Sequence, residues 1–293
     1  MKSLTILITG ATAGIGRHAA LHLARAGHRV LASGRKPAAL AALAAEAAGT
    51  KLETLELDVT SATSIDAARE EIAKRTNGRG LDVLVNNAGY GLMGPLEEIT
   101  ENDLRAQYDT NVFGLVAMLR AFVPQMRERG AGRVINVSSM GGRMTFPFMG
   151  AYNSTKYAVE SLSDALRMEL APFGVSVSLI EPGAIKSDFA ERAMGTTRPL
   201  TGSPYAPLLA NADRMKKQFE ATEVGPECVS RAIEKAATAR RPRARYVAPG
   251  RTIFALLMMR LLPTSWTDAL LRIAVGLTRR KLAAGAGVHP ALS

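Results

Sequence analysis

Short apolar runs alternate with longer stretches of helical character along most of this chain. The apolar runs have the length and composition of buried parallel strands, which are covered on both faces. They predict seven strands, at residues 4–8, 29–33, 52–57, 81–85, 133–137, 175–180 and 244–247. Helices are predicted at residues 17–26, 37–48, 64–75, 101–129 with a break near Pro124, and from 150 to about 172. This alternation indicates an α/β fold: a single doubly wound domain, with a parallel sheet of about seven strands and helices on both faces.

Two segments depart from this alternation. Residues 188–222 have no strong periodicity and contain three prolines, so we expect a substrate loop that covers the site as a lid. Two short apolar helices are predicted later in the chain, at residues 253–262 and 266–277. We therefore expect a catalytic domain at residues 1–250, which includes the loop, and a helical extension at residues 251–293.

The extension is compatible with three roles. It can pack in the core or between subunits, form a hydrophobic wall for a lipophilic substrate, or attach to a membrane surface. Neither helix is long enough to span a bilayer, and Arg260 interrupts the first one.

Composition narrows the class of protein. A chain of 293 residues with 47% apolar and 22% charged residues is typical of a globular protein. The one cysteine, Cys228, excludes an internal disulfide and favours a reducing cytoplasm. The first apolar run ends at Thr9, too early for a signal-peptide core, so a cytoplasmic location is predicted. Of the net charge of +11, nine charges come from residues 240–281, which indicates a basic tail and no nucleic-acid groove.

A glycine-rich turn at residues 9–16 follows the first strand and leads into the first helix. Glycine lets the main chain approach a pyrophosphate closely, and a helix N-terminus favours its negative charge. The spacing is G-x-x-x-G-x-G rather than the commoner G-x-G-x-x-G, so the turn alone is weak evidence. Its position after the first strand predicts a dinucleotide site that includes Gly10, Thr12, Gly14, Ile15 and Gly16.

The ends of the next strands refine the cofactor prediction. Arg35 follows the second strand, where an acidic residue would bind the ribose 2′-hydroxyl of NAD and a basic one the 2′-phosphate of NADP. NADP is therefore preferred over NAD. Asp58 and Val59 follow the third strand. The Asp58 carboxylate could cap the next helix, lie beside the adenine amino group, or do both. The fourth strand runs into Asn86-Asn87-Ala88-Gly89, so Asn87, Ala88 and Gly89 are predicted to face the cofactor.

Tyr152 and Lys156 are four residues apart and lie on one face of a predicted helix. A phenol with a pKa of about 10 is a poor base near neutrality, but a neighbouring cation favours the phenolate. Ser139, at the end of the fifth strand, would hold a substrate oxygen beside it. Asn111 lies among apolar residues and needs partners, which are either the backbone of a nearby turn or a water. The alternative for the Tyr–Lys pair is an ordinary amphipathic contact.

In combination these features resemble the short-chain dehydrogenase/reductase family. The resemblance runs from residue 2 to about residue 247. It rests on T-G-x-x-x-G-I-G at 9–16, N-N-A-G at 86–89, Asn111, Ser139, Y-x-x-x-K at 152–156 and Pro182-Gly183. Within the family, residues 52–59, 91–96 and 172–175 and the apolar tail are most similar to 17β-hydroxysteroid and retinol dehydrogenases.

The resemblance implies a Rossmann-type fold and a catalytic tetrad that needs no metal. Tyr152 would exchange a proton with the substrate oxygen, and Ser139 would hydrogen-bond that oxygen. Lys156 would bind the nicotinamide ribose and lower the pKa of the tyrosine, while Asn111 would hold a water that links the lysine to solvent. The loop after the sixth strand would meet the nicotinamide through Pro182, Gly183, Ile185 and Ser187, the last standing where the family more often has threonine.

The sequence therefore predicts an NADP(H)-dependent oxidoreductase that interconverts a carbonyl and an alcohol on a lipophilic substrate of the steroid, retinoid or acyl-chain type. One alternative is a 3-oxoacyl-[acyl-carrier-protein] reductase, whose acidic partner suits a basic surface. A second is a non-catalytic NADP-binding regulatory protein, against which the complete tetrad argues. The family likeness also implies a homodimer or homotetramer formed through the helices that begin at Glu101 and Gly150.

Overall fold

A parallel sheet of seven strands forms the centre of the computed structural model, which describes residues 3–186, 203–206 and 223–278. The strand order is β3-β2-β1-β4-β5-β6-β7, and every neighbouring pair is parallel. The strands are β1 (Thr5–Ile8), β2 (Arg29–Gly34), β3 (Leu52–Glu56), β4 (Val83–Asn86), β5 (Gly132–Val137), β6 (Val175–Pro182) and β7 (Arg245–Ala248).

Helices cover both faces of this sheet, because successive strand residues point to opposite sides. Ile6 and Ile8 pack with one set of helices, whereas Leu7 packs with the other. The helices are α1 (Gly14–Arg25), α2 (Pro37–Glu46), α3 (Ala62–Arg75), α4 (Glu101–Tyr108), α5 (Gly114–Glu128), α6 (Gly150–Leu170), α7 (Glu227–Thr238), α8 (Thr252–Leu261) and α9 (Thr264–Ala274). The predicted doubly wound α/β fold is confirmed.

The predicted helix at residues 101–129 is interrupted at a different place from the one expected. A π-helical turn at Asp109–Phe113 separates α4 from α5, and Pro124 lies inside α5 without breaking it. The φ of proline suits a helix, and the one hydrogen bond it removes would go to the carbonyl of the exposed Arg120. Buried neighbours such as Phe122 and Met126 hold the helix against the sheet across the proline.

Asp58 does not cap the helix that follows it, so this part of its predicted role is wrong. Ser61 is the N-cap of α3, and its hydroxyl accepts a hydrogen bond from the backbone N–H of Ser64. The Asp58 carboxylate instead accepts hydrogen bonds from the backbone and the hydroxyl of Thr60, at 2.9 and 2.7 Å. The Asp58 backbone N–H donates to the Ser64 hydroxyl at 2.9 Å, so Asp58 contacts the first turn of α3 through its main chain and not through a side-chain cap.

The strand order changes direction between β1 and β4, the place where open α/β sheets bind ligands at the carboxyl ends of their strands. The turns after β1, β4 and β5 meet at this edge. Most of the predicted lid at 188–222 lies outside the described residues, which include only 203–206 and 223 onwards. In the parts of the chain that the structure describes, no helix has the length and apolar character to cross a membrane.

Candidate active site

The turn after β1 and the turn after β4 are bound directly to each other. The hydroxyl of Thr9 accepts hydrogen bonds of 3.0 Å from the backbone N–H groups of Asn87 and Ala88. The Asn87 side chain donates in return to the carbonyl oxygens of Thr9 and Gly10, at 2.9 and 3.1 Å. Thr9 therefore fixes the position of the glycine turn. Sequence analysis included Thr9 in the motif at 9–16 but missed this role, because the motif does not show which distant backbone groups the hydroxyl reaches.

The glycine turn fits a negatively charged ligand. Gly10 and Gly14 have φ values of +64° and +52°, a region that other residues rarely adopt. Ala13, at the N-cap of α1, makes no side-chain hydrogen bond to the helix. The first N–H groups of α1 thus receive no side-chain cap, and such groups bind phosphates.

Arg35 and Asp58 lie close together at the carboxyl ends of β2 and β3. Arg35 is exposed directly after β2. Burial alone would raise the pKa of the Asp58 carboxyl, but hydrogen bonds from Thr60 and the charge of Arg35 leave that pKa lowered. Thr12 packs against the end of β2, since a Cβ added at Gly34 would lie 2.5 Å from its methyl group. The residues predicted to bind the adenosine half of a dinucleotide are therefore neighbours, with Val59 buried beside them.

Ser139, Tyr152 and Lys156 come together where β5 meets α6. The hydroxyl of Tyr152 is hydrogen-bonded to the side chain of Ser139. The Nζ atom of Lys156 lies 5.8 Å from the centroid of the Tyr152 ring and donates a 2.9 Å hydrogen bond to the carbonyl of Val137. Tyr152 and Lys156 are both buried. The predicted pairing of a phenol and an ammonium on one face of a helix is present.

The predicted effect of Lys156 on the tyrosine is not present in this structure. Burial raises the pKa of Tyr152 to about 12, and the hydrogen bond to Ser139 opposes this only in part. Burial also lowers the pKa of Lys156 to about 8, while the nearby Glu160 carboxyl acts in the opposite direction. Burial is the largest contribution to both shifts, and the phenol is therefore neutral at physiological pH.

Asn111 joins the π-helical turn to the loop after β4 and to α6. Its amide oxygen accepts from the backbone N–H of Tyr90 at 3.0 Å, and its amide nitrogen donates to the Tyr90 carbonyl at 2.9 Å. The same nitrogen donates to the hydroxyl of Thr155 at 3.0 Å. The plainer of the two predicted roles, in which Asn111 binds the backbone of a nearby turn, is confirmed.

Asn153 was not singled out from the sequence, yet it orders the loop that carries Ser139. Its amide nitrogen donates to the carbonyl oxygens of Gly141 and Met144, at 2.7 and 3.2 Å. A Cβ added at Gly141 would lie 3.4 Å from the Ser139 hydroxyl. The position of Asn153 next to Tyr152 was the only signal for this role.

A short described part of the predicted lid packs beside the site. The Tyr205 ring meets Phe148 edge-on, with 5.8 Å between centroids, and its hydroxyl donates to Glu97 at 2.8 Å. Ser203 donates to Glu98 at 2.7 Å. The backbone N–H of Gly94 donates to the carbonyl of Phe148. This bond connects the loop after β4 to the residues just before α6. Residues 203–205 therefore lie against the loops after β4 and β5.

The loop after β6 approaches the same edge of the sheet. Pro182 is the last residue of β6, and Gly183 donates to the Ala248 carbonyl at 2.9 Å. Ile185 is buried and pairs with Val224 in an isolated bridge. Ser187 lies outside the described residues.

A group of charged side chains lies behind Lys156 and links β6, β7 and α6. Arg245 of β7 is 3.0 Å from the fully buried carboxylate of Glu181 and 3.1 Å from Glu160. It also reaches Asp164 at 2.6 Å, and Arg143 binds the other oxygen of Glu181 at 3.1 Å. Burial raises the pKa of the Glu160 carboxyl. Sequence analysis missed this network because its members are distant along the chain.

Comparisons with known proteins agree with this geometry. Residues 4–197 match the family model described as short chain dehydrogenase. Human 17-beta-hydroxysteroid dehydrogenase type 1 is 39% identical over 278 residues, covering 89% of this chain and 82% of that protein. The NADPH-dependent 3-dehydrocapnine reductase of Ornithobacterium rhinotracheale is 35% identical over 266 residues, covering 89% and 94%.

The fold also agrees with a solved structure. A short-chain dehydrogenase from Streptomyces avermitilis superposes with a TM-score of 0.73 at 32% identity, over 96% of this chain and 98% of that one. Relatives of this kind are named dehydrogenases and reductases. The chain belongs to the short-chain dehydrogenase/reductase family and is an oxidoreductase that acts on CH–OH groups with a nicotinamide cofactor.

Proposed function

We propose that this protein is an NADP(H)-dependent oxidoreductase that interconverts a carbonyl and an alcohol on a lipophilic substrate. The observation that carries the proposal is the buried cluster of Ser139, Tyr152 and Lys156 at the sheet edge that also carries the glycine turn. When bound, the nicotinamide supplies or accepts the hydride.

Tyr152 is the proposed general acid for reduction. The phenol is protonated near neutrality, so it has a proton to donate to a carbonyl oxygen. Ser139 shares a hydrogen bond with this phenol, and a substrate oxygen placed between the two hydroxyls would be held by both. The pKa of Lys156 is lowered to about 8, which is close to physiological pH. The lysine is therefore suited to passing a proton towards the tyrosine.

Asn111 is proposed to support a water beside Lys156. A Cβ added at Gly89 would lie 3.0 Å from the Asn111 amide oxygen and 3.8 Å from the Lys156 Nζ. The two polar atoms therefore border the same small space, which only a residue without a side chain leaves open. A water there would connect the lysine to solvent, in line with the tetrad that the family resemblance implies.

The preference for NADP is supported by Arg35. A guanidinium at the end of β2 accommodates a 2′-phosphate, and the chain has no acidic residue at positions 34–36 to bind a 2′-hydroxyl. The relative from O. rhinotracheale is named as NADPH-dependent. We assign the rest of the adenosine and pyrophosphate contacts to the glycine turn, Asp58 and Val59, and the nicotinamide contacts to residues 87–89, 182, 183, 185 and 187.

A lipophilic substrate is supported by apolar side chains beside the site. Phe148 and Tyr205 form an aromatic contact there, and Met144 is buried in the loop after Ser139. The human relative is named for a steroid. Steroid, retinoid and long acyl-chain ketones are the proposed substrate classes, and a panel of ketones and alcohols followed by NADPH absorbance would rank them. An acyl-carrier-protein thioester in the same panel tests the alternative reductase.

The division of the chain and its assembly are also proposals. We keep residues 1–250 as the catalytic domain, because β7 ends at Ala248 and completes the sheet. Exposed apolar side chains on and near α5 and α6, such as Phe113 and Met168, support a homodimer or homotetramer formed through these helices.

Tyr152→Phe tests the proposed mechanism. Removing the proton donor is expected to reduce NADPH-dependent carbonyl reduction at least about a hundredfold, while NADPH binding is retained. Tyr157→Phe, which changes an exposed tyrosine on the next turn of α6, is the matched control and should leave the rate unchanged. Activity of Tyr152→Phe within tenfold of the parent would refute the assignment and favour a protein that binds the cofactor without this chemistry.

A further inference from the structure

The outer face of α8 is apolar where a surface helix is normally polar. Thr252 and Leu256 are buried on its inner side, and a Cβ at Gly183 would lie 2.6 Å from the Thr252 hydroxyl. The outer side exposes five large apolar side chains at helical spacing: Ile253, Phe254, Leu257, Met258 and Leu261. Two of them, Phe254 and Leu261, are 71% and 77% exposed.

The following helix, α9, continues this surface. Trp266, Leu270 and Ile273 are spaced by four and three residues, which places them on one side of the helix. They are 66%, 56% and 68% exposed. We refer to these three residues and the five of α8 as the C-terminal apolar face. A contiguous set of large exposed apolar residues marks an interaction surface.

Basic residues accompany the C-terminal apolar face. Residues 249–278 contain three arginines, at positions 251, 260 and 272, and one acid, Asp268. Arg260 and Arg272 are exposed on α8 and α9 themselves. The sequence continues after α9 with Arg279, Arg280 and Lys281. A partner that is both apolar and negatively charged complements this surface.

We propose that the C-terminal apolar face docks the protein on the surface of an anionic lipid bilayer. Large apolar side chains with a tryptophan and arginines are the composition of helices that lie in the membrane interface. A second copy of this chain is a poorer fit, since two such faces would bring their arginines together with only Asp268 to offset them.

Docking in this way would place the candidate site near the bilayer. The helix α8 begins four residues after the carboxyl end of β7, and Thr252 packs against Gly183 in the loop after β6. The C-terminal apolar face is thus attached to the same edge of the sheet as the candidate site. A lipophilic substrate could pass from the membrane to the site over a short path, although the docking itself does not depend on the proposed reaction.

Vesicle binding by the full chain tests the proposal. The protein is mixed with phosphatidylcholine vesicles and with vesicles containing about 30% phosphatidylglycerol, and co-sedimentation is measured at low and high salt. We expect binding to the anionic vesicles that weakens with salt. Trp266 is the only tryptophan in the chain, so a blue shift of its fluorescence would report burial at this face. Absence of co-sedimentation with both vesicle types would overturn the proposal.

Variants then assign the binding to this face. Phe254→Gln, Leu261→Gln and Leu270→Gln together are expected to weaken binding to anionic vesicles at least about tenfold, with Trp266 kept as the reporter. Ala255→Gln, Ser265→Gln and Ala274→Gln together change three other exposed positions of the same helices and form the matched control. Since all six side chains are exposed, the thermal unfolding temperature should stay close to that of the parent for both sets.

Two results would contradict the assignment. One is vesicle binding by the apolar variant equal to that of the control. The other is a change in oligomeric mass of the apolar variant, measured by light scattering, without a change in vesicle binding, because that would make the face an interface between copies. Arg260→Gln with Arg272→Gln should also weaken binding to the anionic vesicles severalfold, and no change would exclude a role for lipid charge.

Discussion

The side-chain amide of Asn111 donates a 3.0 Å hydrogen bond to the hydroxyl of Thr155, which lies between Tyr152 and Lys156 in α6. This bond connects the π-helical turn directly to the helix that carries both candidate catalytic residues. Thr155 in turn donates to the Tyr152 carbonyl at 2.7 Å. The position of the tyrosine is therefore coupled to the turn at Asp109–Phe113.

Thr155→Val should break this connection. The substitution keeps the shape of the side chain but leaves the Asn111 amide one partner short, at a cost of about 1–3 kcal/mol for a buried donor. We expect a lower free energy of unfolding in urea and a reduced kcat. Ser154→Ala is the control, because its hydroxyl donates to the Ala151 carbonyl within its own helix. Equal stability of the two variants would show that the Asn111–Thr155 hydrogen bond does not contribute to the free energy of unfolding.

The lowered pKa of Lys156 predicts an unusual dependence of stability on pH. The pKa falls from 10.5 to about 8 on folding, so the unfolded chain binds more protons between these values and stability rises with pH. The rise from pH 8 to pH 9.5 should be on the order of 1–2 kcal/mol for the cofactor-free protein. The raised pKa of Tyr152 acts in the opposite direction, but mainly above pH 10.

The measurement is urea unfolding at several pH values, compared with Lys156→Met. That variant lacks the titrating group, so its curve should lack this rise. A parallel pH dependence of the two proteins would mean that the lysine is not desolvated in the folded state.

Gly16→Ala should weaken both folding and cofactor binding. An added Cβ would lie 2.3 Å from the Asn87 amide nitrogen and 2.4 Å from the Gly10 carbonyl, so the glycine turn and the turn after β4 would have to separate. We expect a loss of about 1–3 kcal/mol in stability from the crowding and at least a tenfold weaker NADPH affinity. Gly250→Ala, where nothing lies within 4 Å of the added carbon, should change neither quantity.

Arg245→Met should destabilise the protein although it lies outside the candidate site. It removes the cation from the buried Glu181 carboxylate and from Glu160, and leaving a buried charge without its partner costs about 3–5 kcal/mol. Arg143 still binds Glu181, so the lower end of this range is expected. Arg243→Met changes an exposed arginine two residues away and should be nearly neutral in thermal unfolding.

Arg35→Ala should change cofactor preference. Loss of a charged hydrogen bond to a 2′-phosphate is expected to lower the ratio of kcat/KM for NADPH over NADH by about tenfold or more, with little effect on NADH itself. Lys36→Ala, in the same loop, is the control and should leave the ratio close to that of the parent. A ratio that favours NADH in the unmodified protein would refute the NADP assignment.

The exposed apolar residues of α8 and α9 show that a local sequence pattern can predict a helix without predicting which of its side chains are buried. Sequence analysis placed two short apolar helices after residue 250 but left open whether they pack in the core or between subunits, form a hydrophobic wall for a substrate, or attach to a membrane. Exposure of a side chain depends on what lies opposite it, and only the folded chain reveals that Leu256 faces inward while Phe254 and Leu261 face outward.

The sequence by itself determined the seven strands, most helices and the candidate cluster, because these follow from periodicities and spacings within a few residues. Tertiary structure decided what depends on contacts between distant segments: the π-helical turn in place of a break at Pro124, the bond from Asn111 to Thr155, and the charges gathered around Arg245. It also reversed the expected shift in the pKa of Tyr152. A spacing of four residues places a lysine near a tyrosine, but the amount of water excluded around both is set by the whole fold, and burial is the largest contribution to both pKa shifts here.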